Sequence, residues 1–493
     1  MSNGSPIGIE QMNDNRSRIA DVTTGSIERH LVRLTIPTIW GMFAITIFNL
    51  TDTFYVSRLG TDALAAMGFT FPIVMVTGSL SMGMALGAGS VLARAMGRGD
   101  HHLMNRTATD GILLAVLTVV IVASVGLLTM DPLFRLLGAD DRTLPLVKDY
   151  MSIWYIGVVA FIMPPVGDSS MRAMGDMKRP LIVMIVCAVM NVILDPILIF
   201  GLLGFPAMGM AGAALATVIS RAAGMVTTLS FIHFHYRLLD FRYRSVSELL
   251  QSWGRILHVG IPGALVRVAP QLLRAVLTRL AAAVGGVTAV AAVAAGSRIE
   301  SFAFIISMAV GTALVPITGQ NWGAGHYDRV DRTRTILIRV AVVYGIVMLL
   351  LMLPSAAPLA RIFSTEPEVI DRIRWYLWII MIGSIGLNLT NWTSEQLNAA
   401  GKPKQVVLIN VIGTAAIVIP ATWAGARMFG YIGMLGGLCA GQLVLGVIAT
   451  VIGKQTLVPP GSVPAAGRSD AATGRPDEPA AVPVAPPPRG VRR

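Results

Sequence analysis

The amino-acid sequence predicts an all-α integral membrane protein of twelve transmembrane helices. They form two six-helix lobes related by a pseudo-two-fold axis along the membrane normal. Three observations lead there. Apolar residues make up 54% of the 493 and charged residues only 13%, with a mean hydropathy of +0.67, a balance foreign to soluble domains of this size. Apolar windows near the ~20 residues that a spanning helix needs recur from residue 34 to 453. Finally, the chain repeats itself at a nearly constant offset.

The windows run 34–56, 64–93, 107–130, 146–171, 180–202, 208–232, 256–282, 288–316, 335–356, 375–398, 405–426 and 431–453. They are too long, and too poor in alternation, for barrel strands. Pro37 interrupts the first, where a missing backbone N–H permits a kink. Pro164 and Pro165 interrupt the fourth. Residues 1–32 are polar, without the apolar core of a signal peptide, and form a cytoplasmic N-terminal segment. Residues 33–232 make the N-lobe, 233–255 a cytoplasmic linker and 256–453 the C-lobe. The remainder, 454–493, turns to Pro, Ala, Gly and Arg and is expected to be a disordered cytoplasmic tail.

The net charge of +12 suggests nucleic acid until its location is read. With the N-terminus inside, cytoplasmic segments hold 25 of the 39 Lys and Arg, external loops 7 and the spans 7. That asymmetry follows the positive-inside rule and places both termini in the cytoplasm of a multi-pass protein of the plasma (inner) membrane. The basic loops are accounted for by topology and anionic lipid, with no nucleic-acid partner. Cys187 and Cys439 both fall in spans, which argues against a disulfide or metal site, and the scattered histidines lack metal-ligand spacing.

Segments GRGDHHLMNR (97–106) and GAGHYDRVDR (323–332) align, as do MRAMGDMK (171–178) and LNAAGKPK (397–404), both at an offset of 226. SRLG (57–60) with TRLA (278–281), and GMAG (209–212) with GYIG (430–433), align at 221. Two halves in the same orientation follow, with a cavity between them as the natural substrate site. At these offsets Asp52 falls against Leu273, Asp168 against Ser394 and Asp195 against Ala421. The carboxylates belong to the first half alone, which favours function over scaffold.

Asp52, in FNLTDTFYVSRLG, and Asp195, in MNVILDPILIFG, are the candidate site. An acid at bilayer depth costs at least about 2.5–3.5 kcal/mol on insertion scales. Asn191 lies four residues before Asp195, on the same helical face. Two acids and an amide inside a bundle suit a proton or a hard cation. The plainer alternative is that each Asp caps a helix or bonds to a neighbour. Asp168 either joins this site or pairs with Arg172 at i+4. Arg267 and Arg274, seven apart on one face of the seventh span, either snorkel to headgroups or line the cavity and favour anionic substrates.

The stretch LTIPTIWGMFAITIFNLTDTFYVSRLGTDALAAMG, followed by NVILDPILIFG, GMAGAALATVIS and GSRIESFAFIISMAVGTALVPITGQNWGAGHYDR, resembles the multidrug and toxic compound extrusion (MATE) transporters over residues 30–453. Its DinF-like branch is the most similar. The resemblance implies a secondary antiporter that exports organic cations in exchange for protons or sodium. It implies an ion-coupling set of Asp52, Asn191, Asp195, Asp168 and Thr217, with Tyr150 near it and Pro37 as a hinge in the first helix. If sodium is the ion, Asp52, Asn191, Asp195 and Thr217 would be its ligands. In the C-lobe, Asn388 stands near the position where another branch carries an acid, so no sodium site is expected there.

The expected partners are a small-molecule substrate and membrane lipids, with the protein a monomer and no cofactor beyond the coupling ion. A flippase or exporter of lipid-linked or anionic substrates is the alternative. An intramembrane enzyme finds no nucleophile–base pair or metal constellation in the sequence, and an ATP-driven pump finds no P-loop.

Overall fold

The computed structural model describes residues 21–240, 245–267 and 269–458. The expectations for residues 1–20, and for the tail beyond 458, lie outside the described residues. Every regular element among the described residues is helical. In chain order they are α1 (Ile27–Ser57), α2 (Thr61–Gly97), α3 (His101–Leu136), α4 (Thr143–Ile156), α5 (Val159–Ala173), α6 (Lys178–Phe200), α7 (Gly209–Ser230), α8 (Val246–Val266), α9 (Ala269–Gly323), α10 (Tyr327–Phe363), α11 (Pro367–Ala399), α12 (Pro403–Val407) and α13 (Ile419–Leu457). A π-helical turn follows α7, and a π-helical stretch, Leu408–Val418, joins α12 to α13.

Helices α4 and α5 form one span bent by 46°. The bend falls at Gly157 rather than at Pro164 and Pro165, because α7 approaches there: a Cβ on residue 157 would lie 2.4 Å from the Val218 side chain. At 55 residues α9 would be roughly 80 Å long if straight, against a hydrocarbon core of about 30 Å. It doubles back at Gly286, with φ 62° and ψ −151°, and α13 does so at Gly430, with φ 60° and ψ −139°. Only glycine takes such a backbone readily. Dividing the apolar helices at these turns gives the twelve spans.

Positive-φ glycines also correct the internal alignment. Gly60, Gly99, Gly175 and Gly204 pair with Gly286, Gly325, Gly401 and Gly430, each at an offset of 226. Every pair marks a turn between spans. At Gly60 a register of 226 replaces the 221 read from sequence, and Asp52 stands opposite Thr278 instead of Leu273, while Gly209, also at positive φ, still pairs with Gly430 at 221. None of Asp52, Asp168 and Asp195 has a carboxylate opposite it in the second half.

Each half has its own apolar core. One is built around Trp154, Tyr155, Phe134 and Ile162, the other around Ile373, Tyr376, Leu377 and Met434. Helix α8 starts ten residues before its apolar window, because Ser245 caps it, accepting from the Glu248 amide at 3.3 Å. Its Trp253 indole donates 2.9 Å to the Asp110 carbonyl, so the second half leans on the first.

At one end of the bundle the lobes are bolted together. Arg94 Nη1 donates 2.7 Å to the Ala399 carbonyl, Ser90 Oγ donates to the Asn398 carbonyl, and Gln320 Nε2 donates 2.8 Å to the Ala173 carbonyl. The residues ahead of α1 join them. Val22 donates its N–H to Gln320 Oε1 at 3.3 Å and accepts from Asn321 Nδ2 at 3.2 Å. The backbones of α2 and α9 nearly touch: a Cβ on Gly97 would lie 2.0 Å from the Gln320 carbonyl oxygen.

Gly97→Val should therefore lower stability by about 1–3 kcal/mol through overpacking. Gly68→Ala, at a site with open space around it, should not. Thermal melting of the purified protein in detergent compares the two.

Candidate functional site

Two carboxylates, an amide and a hydroxyl carried by three helices meet inside the first lobe. On α6, the Asn191 Nδ2 donates 2.9 Å to Asp195 Oδ1, and both side chains are wholly buried. The one-turn spacing read from the sequence is what aligns them. Pro196, next in α6, supplies no N–H to the carbonyl of residue 192, which leaves backbone polarity beside the acid. On α1, Asp52 is 7% exposed. Its Oδ1 accepts a long hydrogen bond, 3.5 Å, from Thr217 Oγ1 of α7. Asp52 lies within electrostatic reach of Asp195, and Tyr150 of α4 lies within reach of both.

Two oxygens of this group are left over. Asp195 Oδ2 and Asn191 Oδ1 are buried, and neither accepts a hydrogen bond among the described residues. Leaving buried acceptors unsatisfied costs about 1–3 kcal/mol each. A proton on Asp195, or a small hard cation ligated by oxygens, would relieve that cost. Among the described residues no three His, Cys, Asp or Glu side chains are grouped as a metal centre.

The two readings of Asp168 are now separable. Arg172 Nη2 lies 3.7 Å from its Oδ2, and Thr228 Oγ1 donates 2.9 Å to its Oδ1. Asp168 thus carries an ion pair of its own on α5, one step removed from Asp52 and Asp195. Pro37 sits inside an α1 that is helical from Ile27 to Ser57.

In the second lobe Arg267 is the C-cap residue of α8 and Arg274 lies near the start of α9, within one apolar stretch, Val246–Gly323. Both are exposed. Arg267 lies within electrostatic reach of Glu395, and Arg274 within reach of Glu300. Asn388 is buried, accepting 2.5 Å from Ser307 Oγ, with its Nδ2 left unpartnered.

Sequence reasoning missed two groups. Glu300 accepts 2.7 Å from the Tyr376 hydroxyl, and Tyr376 stands 226 residues from Tyr150, so the repeat register would have found it. Arg221, one turn after Thr217, is a lone charge in a span with no sequence pattern around it. Its guanidinium lies over the rings of Phe48, at 4.7 Å, and Phe161, at 5.2 Å.

A family model described as MatE matches residues 37–197 and 262–424. The two matches begin 225 residues apart, close to the offset of the turn glycines. A protein named "FAD transporter" from Shewanella oneidensis is 31% identical over 88% of this chain and 96% of its own length. The "Probable multidrug resistance protein NorM" of Thermotoga maritima is 26% identical over 87% of this chain and 91% of its own. Among solved structures, the Vibrio cholerae MATE transporter VcmN in the bent form superposes with a TM-score of 0.82 at 27% identity, covering 90% of this chain and 98% of that one.

Asp168→Asn should strand the Arg172 charge and cost roughly 3 kcal/mol or more of stability, while leaving ion dependence of transport intact. Melting curves and export assays on the same preparation test the separation.

Proposed function

Because the chain belongs to the MatE family of membrane transporters, which export drugs and other compounds, we propose that it is a secondary antiporter coupled through the N-lobe carboxylates. It exchanges an organic substrate, an organic cation in the first reading, for protons or sodium. The observation that carries this is the buried Asn191–Asp195 pair with its two unsatisfied oxygens, set beside Asp52 and Thr217. An ion there ties α1 to α6 and α7. Its departure loosens α1, which bends at Pro37 and biases the lobes between two orientations through differential affinity. Drug and ion then alternate, which is antiport. The set matches the DinF-like branch.

The same reading places the protein as a monomer in the plasma (inner) membrane, both termini cytoplasmic, with lobes 33–232 and 256–453 joined by the linker 233–255. A second reading takes an anionic substrate, whether soluble or lipid-linked. Arg267 and Arg274 favour it. So does the Shewanella relative named for FAD, a molecule with a pyrophosphate.

Proteoliposomes loaded with a lipophilic cationic dye or with FAD, under a proton or a sodium gradient alone, decide both questions. Export under one gradient only names the coupling ion, and the cargo exported names the charge class. Asp195→Asn should abolish coupled export at normal expression; normal transport by that variant removes Asp195 from the mechanism.

A further inference from the structure

The carboxylates carry the transport cycle proposed above and leave Arg221 without a task. Arginine in a protein is permanently charged. One half-buried in a lobe with four buried acids should pair with one of them, yet among the described residues no carboxylate pairs with it directly, and its Nε is buried without a hydrogen-bond partner. Ring faces hold it instead. Phe48 of α1 lies under it at 4.7 Å and Phe161 of α5 at 5.2 Å.

Its surroundings are specific. Asp52 of α1, Tyr150 of α4, Asp168 of α5 and Cys187 of α6 all lie within electrostatic reach of it. Asp168 is already committed to Arg172 and Thr228. Asp52 is not: its recorded bond is the long one from Thr217. The contact between α1 and α7 therefore has two rungs, one turn apart. Thr217 meets Asp52 on one, and Arg221 meets Phe48 on the other, both helices stepping by four residues. A guanidinium stacked on rings keeps its in-plane N–H donors free, and the flexible stem of Arg221 spans one turn.

We infer that Arg221 is a tethered counter-cation for Asp52. It rests on Phe48 and Phe161 while the coupling ion occupies the carboxylate, and it pairs with Asp52 once that ion has left. In this role it is a positioning residue. It competes with the coupling ion and so weakens its binding, and it spares the emptied lobe a stranded negative charge during reorientation. The inference rests on the N-lobe reading of the coupling site.

The test is export from proteoliposomes by wild type, Arg221→Gln, Arg221→Lys and Asp195→Asn. Rates are measured against sodium concentration or, where sodium does not drive wild-type export, against the size of an acid pulse. Arg221→Gln should lower the half-saturating ion level on the order of tenfold and lower the maximal rate. Arg221→Lys, which keeps the charge without the planar fork, should fall between the two. An unchanged half-saturating level in Arg221→Gln, or weaker ion binding together with a slower rate as a packing defect would give, overturns the inference. If Arg221→Gln is not recovered folded, Arg221→Lys must still move the half-saturating level downward, and no movement overturns it. Asp195→Asn separates the two layers. Transport by that variant sinks the N-lobe reading itself, whereas an inactive Asp195→Asn beside an unaltered Arg221→Gln sinks the counter-cation alone.

Discussion

Charge taken out of water must be compensated, and the first lobe is organised around that demand. Four acids enter its interior on four helices, and each is answered differently. Asp110 of α3 has Arg106 one turn away, at 3.5 Å. Asp168 has a resident cation, Arg172, on its own helix. Asp195 has an amide that satisfies one oxygen and leaves the other open. Asp52 has a weakly held hydroxyl on a neighbouring helix. The three others run from a closed ion pair to an open oxygen.

The second lobe meets that demand at other positions. At the turn-glycine register, Thr278, Ser394 and Ala421 stand where the first lobe has its carboxylates. Ser394 accepts a hydrogen bond from Asn410 at 2.7 Å, a neutral contact where Asp168 has an ion pair. The tyrosine is kept: Tyr376 matches Tyr150 but bonds to Glu300, an acid with no counterpart in the first lobe, where Val74 stands. The two halves share a skeleton and differ in electrostatics.

Much of this was legible in the sequence. Twelve apolar windows were enough for the spans, and i to i+4 spacing placed Asn191 on Asp195. The links from Asp52 to Thr217 and Tyr150 came through resemblance, since no local pattern shows which helices touch. What was illegible had physical reasons. A lone arginine in a span reads as snorkelling, so Arg221 was invisible until its ring contacts were seen. The bend at Gly157 depends on the approach of Val218 from another helix, which is tertiary information.

The segment ahead of α1 has a bearing on how the molecule is made. Val22, fully buried, bonds to Gln320 and Asn321, nearly three hundred residues downstream, and Gly25 accepts from Arg329 at 3.0 Å. The earliest described residues therefore find their seat only after α9 has left the ribosome and entered the bilayer. Until then α1 is held by its own half alone, with the α9-facing side of Leu31 and Leu34 uncovered. Assembly of this chain is a late-closing process in which the second half to be synthesised finishes the first, and the closure joins the two ends of the coding order in one seam.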